Sequence, residues 1–250
     1  MSRYSGETDH RHDAAETVGV LLVNLGTPEA PTTAAVRRYL AEFLWDPRVV
    51  EISRPLWWLI LHALVLRTRP ARSAHAYQRV WTAEGSPLLV ISRRQARALQ
   101  QALTQRHGDK VRVALAMRYG EPSIRAGLGE LRAARVRRLV ILPLYPQYSA
   151  ATTGTAFDAV SEVLKAWRWV PELRFINHYH DREGYLAAVA NGIREHWARH
   201  GPGERLLFSF HGMPKRTLRL GDPYFCQCQK TARLIAERLA LPEGRWQISF

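Results

Sequence analysis

Two largely apolar runs, Val18–Leu25 (VGVLLVNL) and Arg138–Tyr145 (RLVILPLY), limit the folds open to this chain more than any other feature. A strand that is apolar at successive positions has no face for water, so it must lie in a sheet covered on both sides, as parallel sheets are. The segments around the two runs carry a helical period. Thr32 or Thr33 can cap a helix to about Leu44, with Val36, Tyr39, Leu40 and Phe43 as its apolar positions. Ser86-Pro87 opens a longer helix to about Arg106, with proline where a first turn tolerates it. Lys110–Met117 reads as a strand and Pro122 to Ala134 as a helix.

The alternation then repeats. Thr152–Trp167, Arg182–His200 and Pro223–Leu239 read as helices; Glu172–His178, Arg205–Phe210 and Arg245–Phe250 read as strands. Leu186, Val189, Ile193 and Trp197 share one face of the middle helix. The expected fold is therefore α/β, with parallel sheets flanked by helices in two Rossmann-like lobes. The expected boundaries are a disordered tail over 1–16, a first lobe over 17–149 and a second over 150–250. The chain stops in an apparent strand with no covering helix, so the second lobe is expected to be incomplete and the chain a fragment.

Composition removes several classes. Charged residues at 23% and aromatics at 10% exclude a disordered or fibrous chain. Cys226 and Cys228 are too close in sequence to staple a fold, which points to a reducing cytosol. Their spacing also misses the wider gap of paired zinc thiolates, so they read as incidental thiols. A formal charge of +14 favours an anionic partner: nucleic acid, acidic lipid or a small acidic ligand. The basic clusters Arg67–Arg72 and Arg132–Arg138 lack interleaved aromatics, so nucleic acid is not expected. The apolar segment from Pro55 to Leu66 is too short to span a bilayer and reads as a core helix. Trp57 and Trp58, followed by Arg67, Arg69 and Arg72, also fit a lip resting on a membrane surface.

Ligands of open α/β sheets bind beyond the carboxyl ends of the strands. Those ends are Asn24–Pro28, Met117–Gly120, Tyr145–Ser149, Asn177–His180 and Ser209–Pro214. No G-x-G-x-x-G and no G-x-x-x-x-G-K-[ST] is present, so a nucleotide phosphate cradle is unsupported. His211 is the sharpest single residue, set between an apolar strand and the Gly212–Pro214 turn. An imidazole there can take a proton or bind a borderline cation; its alternative is a structural bond to a nearby carbonyl. For His178 and His180 the structural reading is favoured.

Taken together, GVLLVNLGTP (19–28), Arg118-Tyr119, LPLYPQYSAATTG (142–154), SFHGMP (209–214) and GDPY (221–224) resemble ferrochelatase in family order over nearly the whole chain. The resemblance implies two Rossmann-like lobes around a porphyrin cleft and insertion of Fe²⁺ into protoporphyrin IX to form protohaem. It implies His211 as catalytic residue and metal ligand or proton acceptor, with Leu25, Arg118, Tyr119, Tyr148 and Ser149 binding substrate. It implies protoporphyrin IX and ferrous iron as partners, no nucleic acid, and peripheral membrane contact through Trp57 and Trp58. The implied location is cytoplasmic, at the inner face of the membrane. No cofactor is expected: iron is a substrate, and residue 150 is Ala where some members carry an iron–sulfur cluster cysteine. The family's acidic cluster opposite the histidine has no counterpart before Phe250, so part of the cleft with little turnover is expected. The alternatives are a cobalt- or nickel-type tetrapyrrole chelatase and a porphyrin carrier without turnover.

Overall fold

The computed structural model describes residues 4–6 and 16–250. The chain forms two compact units, one of residues 1–144 and 150–176, the other of 145–149 and 177–250.

In the first unit β1 (Thr17–Gly26) leads to α1 (Thr33–Trp45), whose cap is the expected Thr32, accepting from the Ala35 N–H. There follow α2 (Arg54–Ile60), a π-turn over Leu61–Val65, α3 (Leu66–Val80) and α4 (Pro87–His107). Pro70 lies inside α3 and offers no N–H to the preceding turn. The Thr68 hydroxyl donates to the Leu64 carbonyl, at 2.9 Å. Next come β2 (Val111–Tyr119), α5 (Ile124–Ala133), β3 (Val136–Pro143), α6 (Thr155–Leu164) and β4 (Glu172–Phe175). The sheet order is β2-β1-β3-β4 and every pairing is parallel. The two apolar runs thus occupy the two central strands.

Leu21 and Val23 of β1, Ala116 of β2 and Ile141 of β3 meet Leu128 of α5 and Val160 of α6 in one core. Each large side chain there contributes roughly 1.5–3 kcal/mol by leaving water. A separate cluster of Trp57, Leu61, Val65 and Leu66 seats the helical segment that follows α1.

The expected lobe boundary at 149/150 is displaced. β4 pairs with β3 in the register Arg138↔Glu172 to Ile141↔Phe175, and α6 supplies Val160, Val163 and Leu164 to the first core. Segment 150–176 therefore belongs to the first unit. The helix expected over Thr152–Trp167 begins as a π-turn at Ala150–Gly154 and ends at Leu164. Most of the tail expected over 1–16 lies outside the described residues. Its described piece is bound rather than loose: Ser5 forms a parallel bridge with Trp167 and accepts from Arg132.

The second unit contains α7 (Glu183–His200), β5 (Leu206–Ser209), α8 (Lys215–Arg219), α9 (Tyr224–Arg238) and β6 (Trp246–Ser249). β5 and β6 pair in parallel, and Leu186, Phe208, Ala232 and Ile235 form the core. The short α8 had no periodic signal. Among the described residues no helix is long and apolar enough to cross a membrane.

Candidate active site

The strand ends carry the chemistry, and each unit contributes its own set. In the first unit β1 closes on Gly26, which pairs with Tyr119 of β2 and has φ +107°. A Cβ at Gly26 would lie 1.8 Å from the Tyr119 carbonyl oxygen, so only glycine lets the two strand ends approach. Beside it, Leu25 is half-buried and its N–H donates to Asn24 Oδ1 at 2.8 Å.

Arg118 and Tyr119 converge on Asp46, the residue that closes α1. Arg118 Nη2 lies 2.5 Å from Asp46 Oδ2, and the Tyr119 hydroxyl donates to the same oxygen at 3.0 Å. The guanidinium also lies over the Tyr119 ring, 4.4 Å from its centroid. The Asp46 side chain is 5% exposed and that of Arg118 17%. Tyr119 is fully buried with Phe43 against its ring, and burial raises its phenol well above the ordinary range. This is a fixed cation–carboxylate–phenol cluster, in which Tyr119 sets position rather than offering surface. Asp46 lies 72 residues from Arg118, and no sequence spacing points to it.

A cavity of about 440 Å³ opens in the same unit, lined by Thr27, Pro28, Trp81, Leu89 and Arg93 among others. It includes none of the expected site residues.

In the second unit the three most specific sequence motifs interlock. The Ser149 hydroxyl donates to Asp222 Oδ2 at 3.1 Å, and the Tyr224 N–H donates to Asp222 Oδ1 at 3.0 Å. The Tyr224 hydroxyl accepts from the His211 N–H at 3.2 Å. Tyr148 is tied in by its N–H, which donates to Gln227 Oε1 at 2.7 Å. Segments 145–149, 209–214 and 221–224 are thus one hydrogen-bonded frame. Burial pushes the Tyr224 phenol up to about 12, so it stays protonated.

Within that frame Ser149 is buried and structural in its contacts, while Tyr148 is half-buried. His211 is exposed, two residues beyond β5, and its ring makes no side-chain hydrogen bond among the described residues. Nearby, Met213, Pro214, Leu218, Tyr224, Phe225 and Phe250 line a mainly apolar groove of about 420 Å³.

The tryptophan pair separates. Trp57 is buried and its Nε1–H donates to the Leu44 carbonyl at 2.7 Å, so it belongs to the core. Trp58 is 53% exposed, with Leu56, Leu59 and Leu64 exposed on the same segment and Arg67, Arg69 and Arg72 exposed beyond it. Of the two tryptophans expected at a lip, only Trp58 is exposed.

One further cluster of possible metal ligands is His178, His180 and Asp181, whose donor atoms lie within 4.8 Å of one another. Sequence reasoning treated both histidines as structural; their shared strand-end position was the only signal.

Comparison with known proteins follows the same lines. Residues 17–250 match the family model described as Ferrochelatase. The chain is 59% identical over 248 residues to "Ferrochelatase" of Thioalkalivibrio sulfidiphilus, covering 99% of this chain and 67% of that protein. It is 59% identical over 247 residues to "Ferrochelatase" of Nitrosococcus oceani, again covering 99% and 67%. To "Ferrochelatase 2" of Shewanella oneidensis it is 56% identical over 239 residues, 96% of this chain and 73% of that protein. The chain thus spans about two thirds of the length of the first two of these relatives.

Proposed function

The chain belongs to the ferrochelatase family, metal–porphyrin lyases of haem synthesis, and from that premise we propose that it takes protoporphyrin IX and ferrous iron as substrates, with His211 as the group that meets the reacting ring. The observation that carries this reading is an exposed imidazole on a rigid backbone. The Tyr224–Asp222–Ser149 frame fixes the His211 main chain and leaves its ring without a side-chain partner.

Metallation requires two pyrrole protons to leave while Fe²⁺ sheds water and enters from one ring face. A flat macrocycle keeps its nitrogen lone pairs in plane, so a site that holds it bent presents them to the metal. Such strain is worth roughly 1–5 kcal/mol and is drawn from binding the rest of the ligand. In the first unit Leu25 offers half-buried apolar surface, and in the second Tyr148 offers half-buried aromatic surface, each of a kind that suits a macrocycle. Arg118, aligned by Asp46 and Tyr119, favours the propionates, and Ser149 holds the loop that bears Tyr148. His211 either accepts a pyrrole proton or hands over iron; one lone pair cannot serve both at once.

The exposed Leu56, Trp58, Leu59 and Leu64, followed by Arg67, Arg69 and Arg72, support peripheral contact with an anionic lipid surface.

The test is His211→Ala, assayed by Fe²⁺ or Zn²⁺ insertion into protoporphyrin and separately by the porphyrin absorption shift on binding. Loss of a positioned proton acceptor lowers the insertion rate by about 10²–10⁴. Porphyrin affinity is expected to stay within about threefold. Insertion at the parent rate refutes the assignment, and binding without insertion by the parent itself favours a porphyrin carrier.

A further inference from the structure

We propose that His178, His180 and Asp181 form a second metal site, separate from His211, that binds one divalent first-row transition cation. The inference goes beyond the proposed reaction and does not depend on it.

The segment that bears these residues is held at every step. The Tyr179 N–H donates to the Pro146 carbonyl at 2.9 Å, and the Thr231 hydroxyl donates to the His180 carbonyl at 3.0 Å. The Arg182 N–H closes a turn onto the Tyr179 carbonyl at 3.1 Å. The rings of His178 and His180 have centroids 5.0 Å apart. In an extended strand they would stand 6–7 Å apart along the chain.

His180 supplies the independent observation. The residue is only 4% exposed, and its Nδ1 is buried without a hydrogen-bond partner. A buried polar atom left unmet in a folded protein calls for an explanation, an ion or water that fills its site among them. Its Nε2 lies 3.9 Å from Asp181 Oδ2, too far for a hydrogen bond.

The donor set selects the ion. Two imidazoles and one carboxylate suit zinc, iron, cobalt, nickel or copper, whereas calcium and magnesium want oxygen ligands throughout. With metal–nitrogen bonds of about 2.0–2.1 Å, donors on one tetrahedral ion stand about 3.3 Å apart. The present spread of up to 4.8 Å must therefore contract. The exposed His178 side chain can supply that movement by rotation. Lys230 Nζ sits 2.7 Å from Asp181 Oδ2, with its side chain 47% exposed. It occupies the carboxylate that the cation needs and is free to swing into water, so ammonium and metal compete for one ligand.

Calorimetric titration of the chain with Zn²⁺ tests this, in a His196→Ala, His211→Ala background that removes two other exposed imidazoles. The expected result is one equivalent bound with a Kd below about 100 µM, weakened at least tenfold by His178→Ala and by Asp181→Asn. His178 is exposed, so its replacement leaves the fold unchallenged. Lys230→Met is expected to tighten binding at least threefold. Binding weaker than that limit in the parent, or a loss of less than tenfold in His178→Ala, overturns the proposal. Because His211 is absent throughout, neither result bears on the porphyrin reaction.

Discussion

Replacing Asp46 by Ala is the sharpest test of how the first unit holds its strand ends. The carboxylate meets Arg118 at 2.5 Å and the Tyr119 hydroxyl at 3.0 Å, and its Oδ1 accepts from the Arg48 N–H at 2.8 Å. With its side chain 5% exposed and that of Arg118 17% exposed, water replaces little of this. Breaking a buried pair by removing one partner costs about 3–5 kcal/mol, because the other charge is stranded. At about 2–4 °C per kcal/mol for a unit of this size, the thermal transition falls by about 6–20 °C. The assay is urea or thermal unfolding followed by circular dichroism, in the double-mutant cycle with Arg118→Met. The double variant is expected to recover about 2 kcal/mol relative to the sum of the single ones, since no unpaired cation remains. A loss below about 1 kcal/mol for Asp46→Ala, or strict additivity, refutes the argument that the pair is buried and mutually dependent.

Gly26→Ala is expected to destabilise the first unit by about 3 kcal/mol or more, because its Cβ would meet a backbone oxygen that cannot move aside; a melting curve like the parent's would contradict the close approach. Trp58→Glu with Leu59→Glu should reduce flotation with anionic vesicles at least tenfold without changing the melting temperature, given about 1.5–3 kcal/mol for each buried apolar side chain; undiminished flotation removes the lipid-surface reading. Burial pushes the Cys228 thiol up to about 11, whereas Cys226 is exposed. At pH 8 one thiol should therefore titrate readily with a disulfide reagent, and Cys228 should react at least a hundredfold more slowly, its rate rising with pH. Two thiols reacting together at pH 8 would show that Cys228 is not shielded.

The central strands were legible because their signal is local: a run apolar on both faces has one comfortable place, and β1 and β3 occupy it. Helix starts at Thr33 and Pro87 were legible for the same reason, since capping and proline placement act within one turn. The unit boundary was not. Segment 150–176 follows a loop, and only the long-range pairing of β4 with β3 decides which sheet claims it. Asp46 was invisible because a carboxylate that closes a helix looks like any surface acid until the chain returns 72 residues later with Arg118. Trp57 and Trp58 read alike as sequence, yet one turn of helix cannot bury both, and the Leu44 carbonyl selects Trp57.

The same logic separates the two histidine segments of the second unit. His180 and His211 both follow short strand-like runs, and their residue type alone gives them equal standing. Burial divides them. His180 is enclosed beside the Asp181 carboxylate, so whatever it binds must be small and must tolerate a fixed geometry. His211 is exposed, with its main chain clamped by Tyr224 and its ring unengaged by side chains among the described residues, so it can meet a ligand far larger than an ion. The division therefore predicts that a bound Zn²⁺ and a bound porphyrin report on different histidines. Zn²⁺ should survive His211→Ala and fail with His178→Ala, while metal insertion into porphyrin should show the reverse. A single variant that removes both signals without unfolding the protein would mean that one histidine cluster serves both, and the distinction drawn from burial would be wrong.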